Sequence, residues 1–95
     1  MKHEFAENIK NLRKSRNLTQ SELANRLGVN KSIISAYENQ QRLPSIDMLI
    51  KLSLEFNVSM EYLLGISKNK SIDVSRLTDS QISIISQLIA DFEDK

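Results

Sequence analysis

Apolar positions along this chain recur at helical spacing. Phe5, Ile9 and Leu12 fall at i, i+4 and i+7, one stripe of a first helix expected to stop near Arg16 and Asn17. Leu23, Ala24 and Leu27 would face inward on a second helix, and Ile34 and Tyr37 on a third. Leu49, Leu52, Ser53 and Phe56 repeat at i, i+3, i+4 and i+7 on a fourth, and Met60, Leu63 and Leu64 anchor a short fifth. No stretch alternates apolar and polar as a half-buried strand does, so the predicted class is all-α.

Polar residues between the stripes mark the breaks. Thr19-Gln20-Ser21-Glu22 has the form of a capping box, in which hydroxyl and carboxylate exchange hydrogen bonds with each other's backbone N–H. Gly28 is placed to end the second helix in a left-handed turn, and Asn30 to cap the third. Residues 39–44 form a polar loop, Ser45 caps the fourth helix, and Asn57-Val58-Ser59 turns the chain again. Residues 66–77, rich in Ser and Lys, read as a linker. Thr78-Asp79-Ser80-Gln81 is a second capping box, opening a last amphipathic helix over 78–95. The expected organisation is a five-helix domain over 1–65, a linker over 66–77 and one C-terminal helix.

Composition narrows the function mainly by exclusion. Ninety-five residues allow only a modest core and no large internal substrate cavity. With no cysteine, neither a disulfide framework nor a thiolate metal site can form, and the single histidine, His3, has no second imidazole to share a metal. No metal or cofactor is expected. There is no nucleophile–base–acid set and no glycine-rich phosphate loop, so an enzyme is not expected either. No apolar run approaches the roughly 18 residues of a membrane span, and the start lacks a signal peptide's apolar core. A cytoplasmic protein is the expectation. The net charge of +1 divides unevenly: residues 1–43 carry eight Lys/Arg against four Asp/Glu, leaving +4, while 44–95 carry five against eight, leaving −3. A basic front half suits a polyanionic partner.

The two short helices 20–27 and 31–39, joined by a tight turn, are the informative constellation. A helix can enter the major groove of a DNA duplex only if another element holds it at a fixed angle. Small residues at the junction, Ala24 and Gly28, allow the close approach. Thr19-Gln20-Ser21-Glu22-Leu23-Ala24, then Gly28-Val29-Asn30-Lys31-Ser32-Ile33-Ile34-Ser35-Ala36-Tyr37-Glu38-Asn39, then Arg42-Leu43-Pro44-Ser45, resemble the Cro/phage-repressor (Xre-like) helix-turn-helix family. Asn57-Val58-Ser59-Met60-Glu61-Tyr62-Leu63-Leu64-Gly65 resembles that family's usual ending. The likeness runs from about Phe5 to Gly65 and implies a compact lambda-repressor-like domain binding operator DNA, commonly as a dimer on inverted half-sites.

The resemblance implies roles position by position. Gln20 falls where the family contacts phosphate, and Asn30 at the recognition-helix cap, another phosphate neighbour. Lys31, Ser32 and Ala36 fall at base-contacting positions: Lys31 suits guanine O6/N7, Ser32 either kind of base edge, and the Ala36 methyl a thymine methyl. Ser35 and Asn39 share the outward face by helical spacing, Arg42 follows where the chain leaves the groove, and all three are expected on the DNA backbone. Each has a plainer reading as well: a cap for Asn30, a solvated surface for Gln20, Lys31, Ser32 and Arg42, and a good helix former in Ala36. Glu38 matches a family acid paired with a basic residue of the first helix, here Arg13, which implies a structural ion pair. Lys10, Lys14 and Arg26 are expected as surface charges.

Some positions depart from the family. Gln40 stands where many members have glycine, the residue that takes positive φ freely. Ile33 is turned partly outward, either lining the groove edge or packing on a neighbour. Ile50 and Leu54 lie off the fourth helix's inward stripe, Leu54 where the family usually places a polar residue. On the last helix Ile82, Ile85, Leu88, Ile89 and Phe92 form a continuous apolar face flanked by Ile84, a poor surface to leave in water. Together with Ile50 and Leu54 it is expected to form a homodimer interface, its spacing like a short coiled-coil seam, docking on its own domain being the alternative. A second function class stays open, an interaction protein such as an antitoxin whose last helix and acidic tail bind a separate regulatory protein. Thirty residues after Gly65 are too few for a ligand-sensing domain, so control is expected through another protein, proteolysis or concentration.

Overall fold

The computed structural model describes residues 1–70 together with Ile84 and Gln87. The described residues form five helices and no strand: α1 Lys2–Ser15, α2 Gln20–Leu27, α3 Lys31–Glu38, α4 Ile46–Phe56 and α5 Met60–Leu63. The remaining linker, the capping box at Thr78 and the expected dimerisation residues Ile82, Ile85, Leu88, Ile89 and Phe92 lie outside the described residues.

Local chemistry places each boundary. α1 starts at Lys2, so His3 stands within a helix, its Nδ1 3.3 Å from Gln40 Nε2. Asn17 turns the chain after α1 with φ +57°. Thr19 Oγ1 accepts from Glu22 N–H at 3.0 Å and Glu22 Oε1 accepts from Thr19 N–H at 2.9 Å, closing the capping box. Those bonds from Thr19 hold the Glu22 carboxyl below its ordinary pKa. Gly28 ends α2 at φ +71°, and Ser45 and Ser59 cap α4 and α5 through Met48 N–H and Tyr62 N–H. Gln40 adopts φ +62°, so the loop after α3 keeps a left-handed residue without glycine, at about 1–2 kcal/mol.

One core joins all five helices. Phe5, Ile9, Leu23, Leu27, Ile34, Tyr37, Leu52 and Leu63 are almost fully buried within it. The Phe5 and Tyr37 rings meet edge to face at 5.4 Å, fixing α1 against α3, and burial pushes the Tyr37 hydroxyl's pKa up. Ile33 packs half-buried against the same core, which answers the choice left open for it. Asn8 Nδ2 donates to the Tyr62 carbonyl at 2.8 Å, binding α1 to α5. Residues 66–70 fold back on α5: Ser59 N–H donates to the Lys70 carbonyl at 2.6 Å and Ser59 Oγ to the Asn69 carbonyl at 2.8 Å.

Two glycines separate backbone strain from steric conflict. At Gly28 an added Cβ would meet nothing within 4 Å, whereas at Gly65, φ +76°, it would stand 2.4 Å from Glu4 Cβ. Gly28→Ala should therefore cost about 1–2 kcal/mol from the left-handed backbone alone. Gly65→Ala should cost more. Urea denaturation of the two variants checks this, and equal losses would contradict the close packing of Gly65 on α1.

Candidate nucleic-acid interface

The outward side of α3 begins at a cap that the protein leaves unspent. Thr19, Ser45 and Ser59 each accept a hydrogen bond at their helix starts, but the Asn30 side chain makes none at the start of α3. Asn30 thus occupies the cap position without performing the side-chain capping expected of it. No acidic residue stands in the first turn of α3. The free N–H groups there carry the positive end of the helix dipole and suit an anion. Asn30, Lys31 and Ser32 are exposed around that end, and a shallow groove of about 470 Å³ runs from Asn30 and Lys31 to Ser21, Glu22 and Asn25 on α2.

Further along the same side, Ser35 and Ala36 are half-buried and Asn39 and Arg42 exposed. Asn39 Nδ2 donates to Ser35 Oγ at 3.2 Å, so these two polar groups support each other one turn apart. None of the described residues covers Lys31 or Ser32.

Beneath this surface lies the brace. The Glu38 side chain is 3% exposed and the Arg13 side chain 11%, and they meet in a fork: Nε to Oε2 at 2.7 Å and Nη2 to Oε1 at 2.9 Å. A bidentate pair of this kind fixes orientation as well as charge. Hydrogen bonding to Glu38 raises the Arg13 pKa against the opposing effect of burial. Arg13 Nη1 also donates to the Leu18 carbonyl at 2.8 Å, holding the turn into α2. Gln20 Nε2 reaches Glu38 Oε1 at 3.2 Å, which ties the first residue of α2 into the same carboxylate. Gln20 therefore has one amide proton engaged inward and a second left to donate outward.

Sequence reasoning missed a second brace. Arg26, expected as a surface charge, pairs with the buried carboxylate of Glu55 on α4, and the pairing raises the Arg26 pKa. Arg16 adds a bond from Nη1 to the Glu55 carbonyl at 2.8 Å and stands 5.4 Å from the centre of the Phe56 ring. The available signal was the placement of Glu55 beside the inward Phe56 and three residues after the inward Leu52.

A short supporting helix, a left-handed glycine turn and an exposed second helix define a helix-turn-helix domain of the DNA-binding regulator class. The chain belongs to the helix-turn-helix family, whose model matches residues 9–63. Its relatives place it with regulators of the Cro and phage-repressor kind, a family of regulators and not of enzymes. It is 38% identical over 73 residues to the HTH-type transcriptional regulator ImmR of Bacillus subtilis, covering 74% of this chain and 58% of that one. It is 31% identical over 84 residues to the cryptic phage CTXphi transcriptional repressor RstR of Vibrio cholerae, covering 88% and 73%. It is 37% identical over 64 residues to the antitoxin PezA of Streptococcus pneumoniae, covering 67% and 40%. The chain spans 58–64% of the length of three Bacillus subtilis regulators it matches.

Breaking the fork from either side leaves a buried charge uncompensated. Arg13→Met or Glu38→Gln should each lower stability by about 3–5 kcal/mol, and the double variant should lose clearly less than the two losses added. Denaturant titration of the three variants measures this. Strictly additive losses would show that the pair does not act as a unit.

Proposed function

We propose that this protein is a repressor of transcription that occupies a palindromic operator as a homodimer in the cytoplasm, with α3 of each copy in a major groove. The observation that carries the reading is the exposed, acid-free first turn of α3, held from below by the Glu38 fork. In this reading Lys31 donates to guanine O6/N7, Ser32 meets a neighbouring base edge, and the Ala36 methyl packs on a thymine methyl. Gln20, Asn30, Ser35, Asn39 and Arg42 contact phosphates and set the register without reading sequence. Residues 1–65 form the DNA-binding unit, 66–77 connect it, and 78–95 join two copies through Ile82, Ile85, Leu88, Ile89 and Phe92. Dimerisation then sets the two α3 helices about 34 Å apart, one turn of the duplex.

A second reading is favoured by the antitoxin among the relatives: the C-terminal residues bind a heterologous protein, and DNA binding serves autoregulation. Copurification of a stoichiometric heterologous protein with the full chain would support it over the first.

Two substitutions separate base reading from backbone contact. Lys31→Ala should relax preference at one position per half-site, costing about 1–3 kcal/mol on the preferred sequence and little on random duplex. Gln20→Ala should weaken binding to all duplexes alike. Fluorescence anisotropy on a sequence selected from a random pool, against scrambled DNA, tests both. Equal losses on the two DNAs for Lys31→Ala would refute its base-reading role. Affinity should also fall steeply between about 50 and 200 mM salt as phosphate contacts release counterions. Binding that ignores salt would contradict a phosphate-dominated interface.

A further inference from the structure

Gln20 stands at the first position of α2, half-buried, with its side-chain amide on the carboxylate that braces α3. Glu38 Oε1 accepts from Arg13 Nη2 at 2.9 Å and from Gln20 Nε2 at 3.2 Å, while Oε2 accepts from Arg13 Nε at 2.7 Å. A carboxylate paired with a guanidinium accepts and cannot donate, so only the NH2 end of the Gln20 amide can face it. The amide is thereby oriented before any DNA arrives. Its second proton meets no acceptor among the described residues.

The surroundings of that proton suit an anion. The capping box engages the N–H groups of Thr19 and Glu22, and those of Gln20 and Ser21, in the first turn, have no partner within the helix. They carry the positive end of the α2 dipole. Glu38 alone would repel an anion brought to this end, but the fork from Arg13 offsets its charge. A free glutamine side chain loses rotamer freedom when it meets a phosphate, and that loss weakens binding. Fastened to Glu38, Gln20 has already lost that freedom on folding.

We propose that Glu38 is a positioning residue for the phosphate contact of Gln20: besides bracing α3, its carboxylate fixes the amide so that one proton is presented to the DNA backbone. The inference rests on the phosphate role given to Gln20 above and says how the protein prepares it. Lys31, at the opposite end of α3 from Glu38, takes no part in this arrangement.

A double-mutant cycle on duplex binding by the full chain tests it. Gln20→Met, close to glutamine in size but without a donor, should weaken binding about three- to tenfold, on the selected sequence and on scrambled DNA alike. In a Glu38→Gln background the same change should cost less than about twofold, because the contact has already lost its guide, whereas Lys31→Ala should keep its full effect there. An undiminished loss from Gln20→Met in that background would overturn the positioning role and leave the phosphate contact standing. No loss from Gln20→Met in the wild-type background would overturn the contact and the positioning role with it. A Lys31→Ala effect that shrinks in step would trace the coupling to a displaced α3 and overturn the positioning role as well. The wild-type chain gives a reading that does not depend on how well Glu38→Gln folds. As duplex is added, one side-chain amide proton of Gln20 should shift strongly in the nuclear magnetic resonance spectrum and its twin stay nearly fixed. Twin protons that shift together, neither protected from exchange before DNA is added, would overturn the proposal.

Discussion

The Glu38 carboxylate is the constraint on which the arrangement of the first three helices depends. A carboxylate almost wholly removed from water is tolerable only with opposite charge and hydrogen bonds close by. Here both arrive from other elements: the guanidinium from α1 and the amide from the first residue of α2. Satisfying that one group fixes the angle of α3 relative to its neighbours. A loosely hung α3 would lose the charge compensation before it lost much apolar contact, so orientation is enforced where the interface needs it.

Labour is then divided by side of helix. The inward residues of α3, Ile34 and Tyr37, belong to the core, and Glu38 belongs to the brace. Among the described residues its outward side chains make few bonds within the protein: Asn30 spends none on the cap, and the Asn39 and Ser35 side chains bond to each other. The second brace, Glu55 with Arg26 and Arg16, fastens α4 to α2 and to the turn after α1. The basic excess of the first 43 residues thus divides between ion pairing by Arg13 and Arg26, a carbonyl bond and ring contact by Arg16, and an exposed remainder that includes Lys31 and Arg42.

What the sequence discloses follows from how local each signal is. Helix starts and stops were legible because Thr19, Gly28, Ser45 and Ser59 act on backbone groups within a few residues of themselves. The inward stripes of α1 to α4 were legible because periodicity and burial report the same face. Contacts made across the fold were not. Arg26 meets Glu55 over 29 residues and Gln20 meets Glu38 over 18, and no spacing rule encodes either. The return of residues 66–70 to Ser59 was likewise invisible in a polar, aperiodic stretch, because it depends on backbone carbonyls that every residue carries. Lys31, Ser32 and Ala36 owe their proposed roles to position on a braced helix, since lysine, serine and alanine have no chemistry peculiar to DNA.

The most direct measurement of the central claim is a residue-by-residue map of amide chemical shifts as duplex DNA is titrated into the labelled full chain. The account predicts that the largest changes fall on Gln20 and on residues 30–36, with Leu52, Phe56 and Leu63 nearly still. Changes centred on α4 or α5, with α3 unmoved, would show that this braced helix is not the element that meets the duplex.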